Sequence, residues 1–413
     1  MIGTGAFTSL GFQLKDLNNP SVVLTLWVLG GILALSGAFS YAEVGTVISK
    51  SGGEYAFLSK IYNPLIGYLS GWISLTVGFA APIALAAIAF SEYFPFGNFN
   101  VKWMSIALVA VITLIHTRSL KLSAEFQNIS TLLKVILIVI IISIGLVLPE
   151  HSGNEIVSSK GYFTELTSTA FAIALIYVSY SYSGWNAAAY ITEEFENPLK
   201  SLPKALIGGT VLVTVLYTLL QYVFLKHVPV NDLAGQLNVG TIATKQMLGE
   251  KAGSFFGLAI SLLLISGISA MVWVGPRVTL SIAKEHRLWS YFQTQENGIP
   301  KRALWLQFGI SALLLLTGTF EQIMIYCGIL LTASSLMTVL GVFKLRKQNQ
   351  NQQIKGFKSP LFPLFQIVFI LLSVWMITYA FINNPFETIL GMSNLLIGTG
   401  TYFWSKKLEK SNY

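Results

Sequence analysis

Two short runs in this sequence carry residue types that interrupt a helix, and both lie in otherwise apolar surroundings. The first is Met1-Ile2-Gly3-Thr4-Gly5-Ala6-Phe7; the second is Ser179-Tyr180-Ser181-Tyr182-Ser183-Gly184-Trp185-Asn186. In a bilayer the backbone must satisfy its own hydrogen bonds, so irregular chain persists only beside a cavity. A half-helix N-terminus exposes unpaired N–H groups and a partial positive charge, which suit a carboxylate. Unwound carbonyls suit an ammonium group. Two opposed breaks would therefore clamp an α-amino acid with backbone alone, and neither run contains an acidic or basic residue. Close helix packing through small residues is the alternative for either run by itself. The two together fall at the first and sixth spans, a spacing that marks inverted-repeat transporters holding substrate at the midplane.

Two basic residues also lie within apolar stretches. Lys134, in Asn128-Ile129-Ser130-Thr131-Leu132-Leu133-Lys134, stands eight residues beyond Phe126, too far for an easy reach to the membrane face. An uncompensated lysine inside a span costs ~2.5–3.5 kcal/mol, so it is a functional candidate. Burial disfavours its charged form, and it could take up and release a proton; alternatively it stays charged as a fixed cation between spans. Arg277, near the end of the eighth span, is read either as one half of a gate or as a snorkelling side chain. Other chemistry is missing. There is no Ser–His–Asp set, Gly3-Thr4-Gly5 follows no strand and is no nucleotide fingerprint, and His116, His151, His227 and His286 share no ligand spacing. No metal or cofactor is expected, and no enzyme activity.

The elements that must position these residues are set by composition. Of 413 residues 54% are hydrophobic and 11% charged, against about 25% charged in a soluble domain. No Asp, Glu, Lys or Arg occurs in Leu17–Ala42, Ile61–Ser91, Leu166–Thr192, Ala205–Leu225, Ala252–Pro276, Ala303–Phe320, Gln322–Phe343, Ser359–Phe386 or Thr388–Ser405. A span needs about 20 apolar residues, and these runs, with Trp103–Thr117 and Phe126–Pro149, give eleven spans after the opening. If Leu17–Ala42 runs inward, 18 of the 26 Lys and Arg lie on the cytoplasmic side, six outside and two within spans. That bias is the positive-inside pattern. It places the C-terminus in the cytoplasm and accounts for the net charge of +8 without a nucleic-acid partner. The single Cys327 excludes an intramolecular disulfide, and no signal peptide is recognisable.

Three strings resemble the amino acid–polyamine–organocation superfamily, closest to bacterial relatives of the L-type amino acid transporters. They are the opening run; Tyr41-Ala42-Glu43-Val44-Gly45-Thr46-Val47 with Lys50-Ser51-Gly52-Gly53-Glu54-Tyr55; and Tyr182-Ser183-Gly184-Trp185-Asn186 with Thr192-Glu193-Glu194 and Asn197-Pro198. The resemblance implies that Thr4 and Gly5 offer backbone amides to a substrate carboxylate. It implies that carbonyls near Met1, Tyr180 and Ser181 hold the ammonium group, that Tyr180 caps the substrate as a thin gate, and that Asn186 lies near its side chain. Lys134 matches a fifth-span lysine that replaces a sodium ion in several members. Ser181 and Ser183 stand where L-type relatives often have Ala and Gly, and Ser49 where the loop often has Pro, so substrate choice is not inherited. The loop between Glu92 and Lys102 lacks the cysteine through which animal L-type carriers join a glycoprotein, so no disulfide-linked heavy chain is expected. Family members carry half a helix before the first break, and the near-absence of one here points to a start further upstream. Glu43, Glu54, Glu193 and Glu194 are read as caps and loop contacts at the inner face.

The sequence thus predicts an all-α integral membrane protein with the five-plus-five inverted-repeat transporter fold and two extra C-terminal helices. The first repeat, residues 1–149, is N-terminally incomplete; the second is 163–344, and the last two helices occupy 359–405. The expected function is secondary transport of a small neutral L-amino acid across a bacterial inner membrane, proton-linked or by exchange. The competing reading is an amino-acid sensor that binds without net transport.

Overall fold

A computed structural model describes residues 1–95, 100–118, 123–156, 161–296, 298–348 and 356–410. Lys121, Lys160 and Lys355, which enter the charge count above, and residues 96–99 of the loop before Lys102 lie outside this set. The helices are α1 (Gly5–Gln13), α2 (Pro20–Ile48), α3 (Glu54–Ile61), α4 (Pro64–Ile73), α5 (Ala80–Tyr93), α6 (Val101–His116), α7 (Ser123–Val147), α8 (Tyr162–Leu166) and α9 (Thr169–Ser181). They continue with α10 (Pro198–His227), α11 (Val230–Leu233), α12 (Val239–Leu248), α13 (Glu250–Glu285), α14 (Lys301–Thr317), α15 (Phe320–Gln348), α16 (Leu364–Asn383) and α17 (Pro385–Lys410). Among the described residues there is no strand, only one isolated bridge between Glu296 and Ile299.

The boundaries follow local chemistry. Asn19 caps α2 by accepting from Ser21 N, with Pro20 at the first helical position, where its missing N–H costs nothing. Asn63 and Pro64 repeat the device at α4, and Asn100 and Ser168 cap α6 and α9. Between α4 and α5 the span passes through a π-helical turn, Ser74–Gly78, with Phe79 N bonded to Ser74 O. Pro82 follows in the first turn of α5, where it has no N–H to bond the carbonyl of Gly78, and the regular α-helical pattern resumes with Ile83 N on Phe79 O.

Among the described residues seven stretches are long and apolar enough to cross a membrane: α2, α4 through α5, Gln127–Val147, α10, α13, α15 and α16. Of the other expected spans, α6 and α9 are shorter apolar helices, and α14 and α17 are helices of 17 and 26 residues. The shortness of α9 has a local cause, because it stops at the break. Within the bundle α10 lies along α2, α13 along α5, and α1 along α9.

Candidate functional site

The second break is built by a helix that tightens and then turns. Ser183 N bonds Tyr180 O at 2.8 Å, and Gly184 takes φ +85°, a left-handed conformation that glycine adopts without steric cost. The chain resumes as a 3₁₀ helix, Ala187–Glu194. A Cβ on Gly184 would lie 3.2 Å from Met1 N, so the two interrupted runs face each other. The first run is held from α10: Tyr217 Oη donates to Met1 O (2.9 Å) and Gln221 Nε2 to Ala6 O (2.9 Å). The helical bonding of α1 starts with Phe7 N and Thr8 N on Thr4 O. The N–H groups of Gly5 and Ala6, ahead of these bonds, therefore have no partner within the helix.

Beside the facing breaks is a cavity of about 470 Å³. Its wall comprises Met1; Gly30, Leu33 and Ala34 of α2; Gly78, Phe79 and Pro82; Ser179, Tyr180, Tyr182 to Ala188, Tyr190 and Ile191 of the break; Ala270, Met271, Trp273 and Val274 of α13; Gly328, Leu331, Thr332 and Ser335 of α15; and Phe369 and Ser373 of α16. Among these described residues there is no acidic, basic or histidine side chain. The polar groups are hydroxyls, one amide, the indoles of Trp185 and Trp273, and backbone, and Ser373 Oγ is buried without a partner among the described residues.

Of the residues singled out in the sequence, Met1, Tyr180, Ser183 and Asn186 line this cavity. Thr4, Gly5 and Ser181 are buried between α1 and α9 instead. Thr4 Oγ1 lies 3.5 Å from Tyr180 Oη, Ser9 Oγ bonds Ser181 Oγ at 2.8 Å, and Ser181 Oγ donates to Tyr177 O. Lys134 lies outside the wall, on α7; it is 7% exposed, and its Nζ is 3.6 Å from where a Cβ on Gly267 of α13 would stand. Among the described residues Nζ makes no hydrogen bond or ion pair. Arg277 stacks on Trp273 (3.6 Å), a cavity residue, and pairs with Glu194 at 3.2 Å, both charges partly exposed.

At the far end of α1 the bundle is shut by side chains. Lys15 Nζ meets Glu321 Oε2 at 2.6 Å, Tyr177 Oη donates to Glu321 Oε1 at 2.7 Å, and Phe12 stacks on Phe320. At the opposite end Glu43 accepts two bonds from Arg346 (2.6 and 2.8 Å) and a third from Ser359 N (2.8 Å). Glu54, on the first turn of α3, is 3% exposed and accepts from Tyr41 Oη, Asn186 Nδ2 and Tyr190 Oη. Reading these glutamates as loop contacts understates both, since each carboxylate joins separate elements inside the bundle. Two histidines that the sequence leaves apart also meet. His227 Nε2 donates to Gly145 O (2.7 Å), which leaves Nδ1 to accept from His151 Nδ1 at 3.1 Å. Gly78 at the end of the π turn, with Phe79 and Pro82 after it, is cavity wall that the sequence reading did not single out, although a glycine four residues before a proline in a charge-free span is a readable signal.

The fold and the cavity define a polytopic membrane protein with a largely apolar chamber, free of charged side chains among the described residues, at two helix breaks. Residues 1–402 match the amino acid permease family, and the chain belongs to it. It is 28% identical to the b(0,+)-type amino acid transporter 1 of Mus musculus, over 99% of this chain and 87% of that protein. To the serine/threonine exchanger SteT of Bacillus subtilis (strain 168) it is 26% identical, over 100% of this chain and 94% of that one. The Asc-type amino acid transporter 1 of Mus musculus is 26% identical over 98% and 78%. These relatives are transporters and exchangers rather than enzymes.

Proposed function

We propose that this protein is a secondary transporter carrying a small neutral L-amino acid across the cell membrane, with the C-terminus in the cytoplasm. The observation that carries the reading is a cavity wall with no charged side chain among the described residues, beside two facing helix breaks. An α-carboxylate and α-ammonium can be met by first-turn N–H groups and unwound carbonyls, whereas an acidic or basic substrate side chain would find no counter-charge. The relatives' names, a serine/threonine exchanger among them, are those of amino acid carriers. The two breaks, at α1 and after α9, fit a five-plus-five inverted repeat followed by α16 and α17. In that arrangement Met1, Thr4, Gly5, Tyr180, Ser181, Ser183 and Asn186 form the substrate clamp. Thr4, Gly5 and Ser181 reach the substrate only when α1 and α9 separate. The closed Lys15–Glu321–Tyr177 contact then makes this conformer shut to the outside. Coupling falls to Lys134, as proton carrier or fixed cation, and Arg277–Glu194 is an inner gate. The sole cysteine, Cys327, is buried, which supports function without a disulfide-linked partner.

The test is uptake and counterflow of a panel of radiolabelled amino acids in proteoliposomes, with and without a pH gradient. Small neutral substrates should accumulate or exchange, and Arg, Lys, Asp and Glu should not. Saturable binding with no flux under any gradient would replace transport with a sensor.

A further inference from the structure

A buried carboxylate with three hydrogen-bond donors, and no cation partner among the described residues, stands just behind the cavity wall. Glu54 belongs to α3, outside the cavity, yet two of its donors, Asn186 and Tyr190, line the cavity, and the third, Tyr41, comes from α2. An ionised carboxylate accepts only, and the donor set here matches that state, with Tyr41 Oη (2.7 Å) and Asn186 Nδ2 (2.6 Å) on Oε1 and Tyr190 Oη on Oε2. The contact decides how the Asn186 amide is turned. Facing a carboxylate, an amide must present its N–H, so its oxygen faces elsewhere. Asn186 is half-buried on the cavity wall, and its Oδ1 makes no hydrogen bond among the described residues. The backbone supports the same arrangement, because Gly52 N bonds Tyr190 O at 3.1 Å, and a Cβ on Gly53 would press against the Tyr190 ring at 2.8 Å.

We infer that Glu54 is a positioning residue for substrate choice: it commits the nitrogen of Asn186, so the cavity meets the substrate side chain with a fixed acceptor. The substrate class this selects is small amino acids whose side chains donate a hydrogen bond, such as serine and threonine, over aliphatic isosteres such as valine. A wall group held in place cannot turn to suit an apolar side chain, and an acceptor desolvated without a donor is costly. The inference rests on the transport reading above and names the substrate class of the same cavity.

The experiment is a donor–acceptor reversal at constant charge, measured as KM and Vmax for threonine and valine exchange in proteoliposomes. Wild type should favour threonine over valine by ~10-fold or more in Vmax/KM, the scale of one unmatched polar contact. Asn186→Asp sets two carboxylates against each other and should raise the threonine KM at least ~10-fold. Glu54→Gln with Asn186→Asp restores one N–H between the two side chains, now donated by position 54, and keeps an acceptor toward the cavity. That double variant should return within about threefold of the wild-type KM and selectivity. Asn186→Leu, with an unchanged melting temperature, should abolish the threonine preference. A wild type that exchanges both amino acids equally, or a double variant no better than Asn186→Asp, would overturn the inference while leaving transport standing. A wild type that moves no amino acid would overturn the transport reading itself.

Discussion

Gly5 has no room for a side chain. A Cβ there would lie 2.4 Å from Ser181 Cα and 2.5 Å from Ser181 Oγ, so the glycine lets α1 and α9 touch backbone to backbone. The family resemblance has Gly5 offer its backbone amide to a carboxylate; in this conformer the neighbouring helix occupies the space where a side chain at position 5 would stand. Gly5→Ala should therefore weaken the closed arrangement by ~1–3 kcal/mol, as overpacking does, and reduce transport more than tenfold. Thermal unfolding and flux on the same preparation check this, and normal flux would remove the α1–α9 contact from the transport cycle. Lys134 is the other residue whose surroundings define a test. Its amine is held near Gly267 without a counter-ion among the described residues, in a setting where charge costs ~2.5–3.5 kcal/mol. Lys134→Ala should abolish concentrative uptake. If the amine carries the proton, Lys134→Gln should leave exchange that no longer responds to an inward proton gradient. If it is a fixed cation, Lys134→Gln should lose exchange as well. Wild-type uptake driven by a sodium gradient at constant pH and voltage would defeat both roles.

At the scale of elements, polar contacts decide which helices are bound to which. Glu43 of α2 holds Arg346 of α15 and the chain before α16 through three bonds, and the Arg346 guanidinium lies over the Phe362 ring. Breaking such a pair from one side leaves a poorly solvated charge, so Glu43→Gln should destabilise by up to ~3–5 kcal/mol. Removing both charges with apolar residues of similar size should cost far less. Thermal denaturation of the two variants in one detergent distinguishes them. A second clasp joins α4, α13 and α17 around His286, which follows the α13 span and packs edge-on to Tyr68 and Tyr402. Burial, aided by Lys406, lowers its pKa from 6.5, while Glu409 and Glu285 oppose the shift. The unfolded chain then binds the proton first as pH falls. Stability conferred by neutral His286 should be complete above about pH 6.5 and decline as pH drops below it. His286→Phe should flatten that slope in melting curves between pH 7.5 and 5.5, and an unchanged slope would assign it to other groups.

For the whole molecule, the uneven distribution of Lys and Arg makes a prediction about orientation. The end of the bundle carrying Glu43, Glu54, Arg277 and Arg346 should face the cytoplasm, where basic residues gather. A fluorescent protein fused after Tyr413 should mature and fluoresce, and a periplasmic alkaline phosphatase fused there should stay inactive; the reverse pattern would invert the topology. That orientation also determines which closure is external. The cluster of Lys15, Glu321, Tyr177, Phe12 and Phe320 closes the end away from α3.

Membrane class, the two breaks and the family were determined by sequence, because each depends on local properties; the expected eleven spans were not all matched, seven of the described helical stretches being long and apolar enough to cross. An apolar run without charges has to be a span, and Gly, Ser and Asn inside one interrupt it wherever they occur. The facing of each residue was decided by tertiary structure. Met1, Ser183 and Asn186 look into the cavity while Thr4, Gly5 and Ser181 look at one another. That choice depends on the rotation of α1 against α9, which long-range packing sets: a Cβ on Gly11, for example, would lie 2.0 Å from Gln236 O. The partners of the buried carboxylates were out of reach for the same reason. Asn186 is 132 residues from Glu54 and Arg346 is 303 from Glu43, and no periodicity within a helix links positions so far apart; only the packed bundle brings them together.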